Sequence, residues 1–130
     1  VRAALFAAVE SGKAVFLPVT RERSITFRRW RPQASMSVGA LGVGEPVIGE
    51  GPANAASVVL VPGRAFSTTR HRLGRGGGFY DRIWRELERY RPRIGIGYRC
   101  QVFAEVPYDD HDAVVDVLVC ERGVVSESTE

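Results

Sequence analysis

Cysteine is scarce in this chain, and its two thiols, Cys100 and Cys120, have no metal-ligand spacing. That excludes a disulfide scaffold and a cysteine-built zinc site. Both fall in apolar or strand-like settings, so two buried free thiols in a reducing compartment are expected. No apolar run approaches bilayer length, so no membrane-spanning helix is expected. There is no signal-peptide pattern either, and a cytoplasmic protein is expected. The glycine run at 76–78 is not followed by Lys-Ser or Lys-Thr, which excludes a Walker loop. Its spacing is also too narrow for the dinucleotide fingerprint.

What is present describes an ordinary globular chain. Its 130 residues make one domain with room for a core. The 45% hydrophobic and 25% charged fractions place it among folded proteins rather than disordered ones. The net charge is +3, and much of the positive charge falls in two clusters, Arg21 to Arg31 and Arg64 to Arg75. Such clusters can meet phosphate of any kind, although a solvated strand face is the commoner explanation of the first.

The chain is organised around Val58 to Tyr90. Val58, Val59, Leu60 and Val61 read as a buried strand stopped by Pro62-Gly63. Arginine-rich coil runs from Arg64 to Arg75, then come Gly76, Gly77 and Gly78. A helix is expected from about Phe79, with Phe79, Ile83 and Leu87 on one stripe and Tyr80 and Trp84 beside it. A helix start carries unpaired N–H groups and partial positive charge, glycines let a ligand approach, and Arg70, Arg72 and Arg75 add full charges. The pattern reads as a phosphate cradle. Glycine runs also merely cap or bend chains, and that reading stays open.

Elsewhere, Val1 to Ser11 reads as a helix ended by Gly12. A strand from Ala14 to Leu17 is expected to stop at Pro18, a helix-to-strand unit typical of parallel α/β sheets. Ser24 to Trp30 reads as an edge strand with its arginines outward. The interleaving of Arg28, Arg29, Trp30 and Arg31 admits a nucleic-acid reading, but the edge strand is preferred and no nucleic-acid partner is expected. Pro32 to Ala56 reads as a long loop with a short strand or turn around Leu41 to Val47. Arg93 to Tyr98 reads as a buried strand whose Gly95 and Gly97 leave space for a close neighbour. A short helix is expected from Cys100 to Glu105 and a final strand from Val114 to Cys120. Together these specify an α/β fold with a mostly parallel sheet, whose ligands gather beyond the carboxyl ends of the strands.

Two acids stand out. Asp81 falls in the expected first helical turn, where the dipole alone stabilises it. Asp116 interrupts an apolar strand, as any outward position would. Jointly they could hold Mg²⁺ against polyphosphate oxygens. His111 and His71 read as loop histidines bonded to a neighbour.

The blocks GKAVFLP from Gly12, Gly44-Glu45-Pro46, Val61 to Arg82, Ile94 to Gln101 and Val106 to Val124 resemble, in order and spacing, the 5-formyltetrahydrofolate cyclo-ligase family. The resemblance implies a three-layer α/β/α sandwich like that of ribose-5-phosphate isomerase and CoA-transferase domains. It implies ATP- and Mg²⁺-dependent closure of 5-formyltetrahydrofolate to 5,10-methenyltetrahydrofolate through a phosphorylated formyl group, by a monomer. Carried onto this chain, Arg72, Leu73, Gly74, Arg75, Gly76, Gly77, Gly78, Phe79 and Tyr80 would bind ATP. Arg75, Gly76, Gly77, Gly78 and Phe79 would also border the folate, and Asp81 and Asp116 would hold the metal. For His111-Asp112 the resemblance implies a structural role. Phe79 stands where Tyr is frequent and Cys120 where Thr is frequent. Family members begin with a further segment bearing a basic ATP-contacting motif and a folate-holding Glu. Val1 to Ser11 supplies neither, so residues upstream of Val1 are expected. The alternative is a domain that has lost catalysis and binds nucleotide, folate or a partner.

Overall fold

The computed structural model describes residues 2–21, 24–39, 42–52, 58–74, 92–108 and 114–126. The chain divides into two compact units, Val1–Asn54 and Ala55–Glu130. The expected helix from Phe79, Asp81 and His111 lie outside the described residues.

In the first unit, helix α1 (Arg2–Glu10) turns its apolar side inward, with Leu5, Phe6, Ala8 and Val9 half-buried. Gly12 ends it at φ +86°, a conformation glycine takes without a side-chain clash. Strand β1 (Val15–Arg21) then pairs antiparallel with β2 (Ser24–Trp30), Val15 opposite Trp30 and Arg21 opposite Ser24. The expected stop at Pro18 and the parallel grammar are both overturned here. The Thr20 N–H is donated to the Glu45 side chain rather than to β2. Pro18, two residues earlier, has the same orientation, so its missing N–H takes nothing from the ladder. A connection as short as the one between Arg21 and Ser24 can only make a hairpin. A second hairpin follows, β3 (Met36–Val38) on β4 (Gly44–Pro46), where a long loop with a short strand or turn around Leu41 to Val47 was expected. Val19, Ile25 and Trp30 are buried in this unit, and Phe6 meets the Trp30 ring edge-on at 5.3 Å.

The second unit holds a four-stranded sheet in the order β11 (Gly123–Val124), β10 (Val117–Cys120), β8 (Arg93–Ile96), β5 (Val59–Pro62). β5, β8 and β10 are parallel, and β11 returns antiparallel at the edge. The parallel pairing read from the sequence is present in this sheet, while the sheets of the first unit are antiparallel, so the described sheets are mixed. The final strand starts at Val117 rather than Val114. In β5, an edge strand among the described residues, only Val61 is fully buried; Leu60, like Val58 just before the strand, is exposed.

The expected arginine-rich coil is instead a hairpin, β6 (Ala65–Ser67) on β7 (Arg72–Leu73). Arg70 takes φ 71° at its turn. β6 also pairs in parallel with β9 (Val102–Phe103), which follows a single 3-10 turn at Arg99–Gln101. The helix expected at Cys100 to Glu105 is therefore one turn and a strand. That turn leaves Cys100 exposed, while Cys120 is buried, so only one thiol sits as expected.

The core of this unit is Phe66, completely buried with Val61, Val115 and Leu118. Its ring occupies the space where side chains at Gly63, Gly95 and Gly97 would stand. A Cβ at those positions would lie 2.9, 2.8 and 3.2 Å from ring atoms. The room at Gly95 and Gly97 is thus taken by an aromatic ring from β6.

Candidate functional site

The carboxyl ends of the parallel strands are tied together by Gln101. Its Nε2 donates to the carbonyls of Gly63 (3.1 Å) and Arg64 (3.0 Å), just past β5. Its Oε1 accepts the Tyr98 N–H at 2.8 Å, just past β8. An amide can do this because it carries both donors and an acceptor.

The hairpin brings Arg72, Leu73 and Gly74 back to this end. Arg64 donates its N–H to the Leu73 carbonyl at 2.8 Å, and Arg72 Nε donates to the Pro62 carbonyl. The Arg72 guanidinium lies against Gly74, with Nη1 3.0 Å from where a Cβ would be. The expected phosphate loop thus leaves the described structure at the carboxyl end of β5. Its remaining members, Arg75, Gly76, Gly77, Gly78, Phe79 and Tyr80, lie outside the described residues, as does Asp81.

Asp116 stands elsewhere in the sheet. It precedes β10, and its carboxylate Oδ2 accepts the Arg93 backbone N–H at 2.7 Å and Arg93 Nε at 3.3 Å. The Asp116 N–H returns to the Arg93 carbonyl at 2.9 Å. Arg93 opens β8 and its side chain is 5% exposed, against 25% for Asp116. The register sets both level with Val59, the first residue of β5. Gly63 lies four residues further along, so at a rise of ~3.3 Å per residue Asp116 is ~13 Å along the strands from the Gly74 end.

For a divalent cation the donor set matters. Oδ2 of Asp116 already serves two Arg93 donors. Among the described residues no group of three or more His, Cys, Asp or Glu side chains converges. Asp116 is a hard carboxylate of the right type for Mg²⁺, and the clasp to Arg93 fixes its orientation.

Several polar residues were missed by sequence reading. In the first unit, buried Glu45 accepts the Thr20 N–H (2.8 Å) and hydroxyl (2.7 Å) on one oxygen and Arg21 Nη1 (3.2 Å) on the other. The Thr20 backbone N–H chiefly holds its carboxyl below the ordinary value of 4.5. The only signal was a lone acid between Gly44 and Pro46. A carboxyl lowered by folding adds stability above its unfolded pKa and loses it as pH falls through the folded one. Wild-type protein should therefore melt above a Glu45→Gln variant at neutral pH. The gap should close as pH falls below the carboxylate range; a pH-independent gap in thermal midpoints would contradict this.

His71 was read as bonded to a neighbour, and its Nδ1 lies 3.1 Å from the Thr69 hydroxyl. It also stacks on Tyr108 at 3.7 Å between ring centroids, which the sequence did not show. The first arginine cluster is engaged within its own unit. Arg28 donates to the carbonyls of Pro46 and Val47, and Arg29 and Arg31 face Glu50.

Comparison with known proteins adds an independent line. Residues 2–121 match the model of the 5-formyltetrahydrofolate cyclo-ligase family. A 5-formyltetrahydrofolate cyclo-ligase of Escherichia coli K12 is 30% identical over 116 residues, covering 84% of this chain and 64% of the relative. The one from Mycolicibacterium smegmatis is 32% identical over 133 residues, covering 91% and 66%. The solution structure of Aquifex aeolicus 5,10-methenyltetrahydrofolate synthetase superposes with a TM-score of 0.76 at 37% identity, covering 98% of this chain and 66% of that one. The Mycoplasma pneumoniae 5,10-methenyltetrahydrofolate synthetase shares the fold, with a TM-score of 0.62 at 22% identity, covering 91% and 62%. The chain thus spans slightly less than two thirds of these relatives.

Proposed function

We propose a function on one premise: this chain belongs to the 5-formyltetrahydrofolate cyclo-ligase family. The function is ATP- and Mg²⁺-dependent closure of 5-formyltetrahydrofolate to 5,10-methenyltetrahydrofolate. The observation that carries it is the family match over residues 2–121, which includes the whole stretch from Val61 to Arg82.

In this reaction the formyl oxygen takes the terminal phosphoryl group of ATP. N10 of the folate attacks the activated carbon, and phosphate leaves as the ring closes. Such chemistry asks a protein mainly to position reactants and neutralise charge. In this reading Arg72 to Tyr80 would hold the ATP phosphates, Arg75 to Phe79 would border the folate, and Asp81 and Asp116 would hold Mg²⁺, whose charge would offset that of the phosphates. The return of Arg72 and Gly74 to the carboxyl end of β5 supports the first of these assignments. The complete domain is a three-layer α/β/α sandwich acting as a cytoplasmic monomer. The parallel sheet and the free thiols support that reading. A second reading, a domain that binds without catalysing, is favoured by the Arg93–Asp116 clasp, which gives Asp116 a structural use that needs no metal.

The direct test is the absorbance of the methenyl product. It should rise only when ATP, Mg²⁺ and 5-formyltetrahydrofolate are all present; no rise with all three present would favour the second reading. Arg72→Ala should raise the apparent KM for ATP about tenfold, the worth of a charged hydrogen bond. An unchanged KM in steady-state kinetics would remove Arg72 from the phosphate site.

A further inference from the structure

A second basic site lies in the first unit, and nothing in the proposed reaction uses it. A cleft of about 190 Å³ is lined by Val9, Lys13, Arg29, Trp30, Arg31 and Gln33, among others. Its Trp30 wall is fixed, being buried and wedged edge-on against Phe6. Arg29 is also held. Its backbone N–H donates to the Glu50 carbonyl at 2.8 Å, and its guanidinium stands 5.8 Å from the centre of the Phe16 ring.

The charges in the cleft are not closed on one another. Arg29 and Arg31 approach the same Glu50 oxygen at 3.9 and 3.5 Å. The shorter distance is at the limit of hydrogen-bond range and the longer lies beyond it, so one carboxylate is shared between two guanidinium groups. Among the described residues the Lys13 ammonium makes no hydrogen bond or ion pair. Its position after α1 favours the helix dipole, which explains its sign but not the two arginines. Three cations against one carboxylate leave an excess of two positive charges.

We propose that this cleft binds a phosphoryl-type dianion, either inorganic phosphate or the phosphate of a small monoester. A phosphoryl group carries roughly −1.5 to −2 near neutral pH, which matches the excess. Guanidinium forks suit its oxygens, and a lysine adds a point charge. The size agrees: the cleft measures about 190 Å³. That is below the ~300 Å³ at which pockets enclose whole drug-sized ligands, so an anionic group enters rather than a complete nucleotide.

The inference does not rest on the cyclo-ligase reading and is tested without turnover. The isotope-labelled chain is titrated with inorganic phosphate, with sodium chloride at matched ionic strength as the control, and followed by residue-resolved amide NMR. Saturable shifts are expected at Gly12, Lys13, Arg29, Trp30, Arg31 and Gln33. Lys13→Ala and Arg31→Ala, both at exposed positions, should each weaken binding about tenfold. Lys13→Arg should retain it. Shifts matched by sodium chloride, or saturable shifts indifferent to these substitutions, would overturn the site. So would a single-stranded oligonucleotide that shifts these amides when free phosphate at the same phosphate concentration does not.

Discussion

Phe66→Ala is expected to remove about 3–5 kcal/mol of stability, as large aromatic truncations in well-packed cores do. The reason lies in what surrounds the ring. It is completely buried, and three of its neighbours are glycines whose missing side chains make its space. Those neighbours are backbone, at Gly63, Gly95 and Gly97, and strands β5 and β8 cannot collapse into the void without breaking their ladder. The converse change should also hurt. A Cβ at Gly95 would sit 2.8 Å from the ring, 3.1 Å from Val115 and 3.3 Å from Leu118. Overpacking of that kind costs about 1–3 kcal/mol. In Phe66→Ala/Gly95→Ala the two changes share one space, so the double variant should lose less than the sum. Denaturant unfolding of the four proteins measures this. Strict additivity, or a loss below about 1 kcal/mol for Phe66→Ala, would show that the ring is not held as described.

Asp116→Ala is expected to cost about 3 kcal/mol, the low end for breaking a buried ion pair because Asp116 is a quarter exposed. The substitution removes the acceptor for both the Arg93 N–H and its guanidinium. Asp116→Asn keeps an acceptor oxygen and should cost less. The pair of variants also separates structure from chemistry. If Asp116 only clasps Arg93, Asp116→Asn should turn over in proportion to its folded fraction well below its melting temperature. If it also holds Mg²⁺, turnover should fall far below that fraction, and raising the Mg²⁺ concentration should restore part of it. Thermal melts and initial rates on the same samples distinguish the two.

The parallel strands were legible in the sequence because each is a short apolar run punctuated by proline or glycine. Pro62-Gly63 closes β5, Pro92 precedes β8, and the apolar run ending at Cys120 marks β10. The space at Gly95 and Gly97 was legible too, since glycine inside a strand invites a close neighbour. The occupant was not, because Phe66 sits in a polar stretch whose arginines and threonines read as coil. That hairpin is set by pairing with β9, some 36 residues further on, rather than by any alternation of its own. Direction of pairing was equally hidden at β1, where helix followed by strand fits either outcome until the next connection is known. Of the candidate site, only Arg72, Leu73 and Gly74 fall among the described residues, and they lie past the carboxyl end of β5. The clasp of Asp116 on Arg93 did not show, because it depends on the β8–β10 register across 23 residues. Glu45 and its three donors were hidden for the same reason, lying 24 and 25 residues from Arg21 and Thr20.

The cyclo-ligase account makes one demand that no mere binding domain meets: phosphate release and ring closure are the same event. Following inorganic phosphate and the methenyl chromophore together, in one reaction with ATP and Mg²⁺, tests it most directly. The account predicts equal amounts of the two at every time point, and neither without 5-formyltetrahydrofolate. Phosphate released without chromophore, or chromophore formed without ATP, would contradict it.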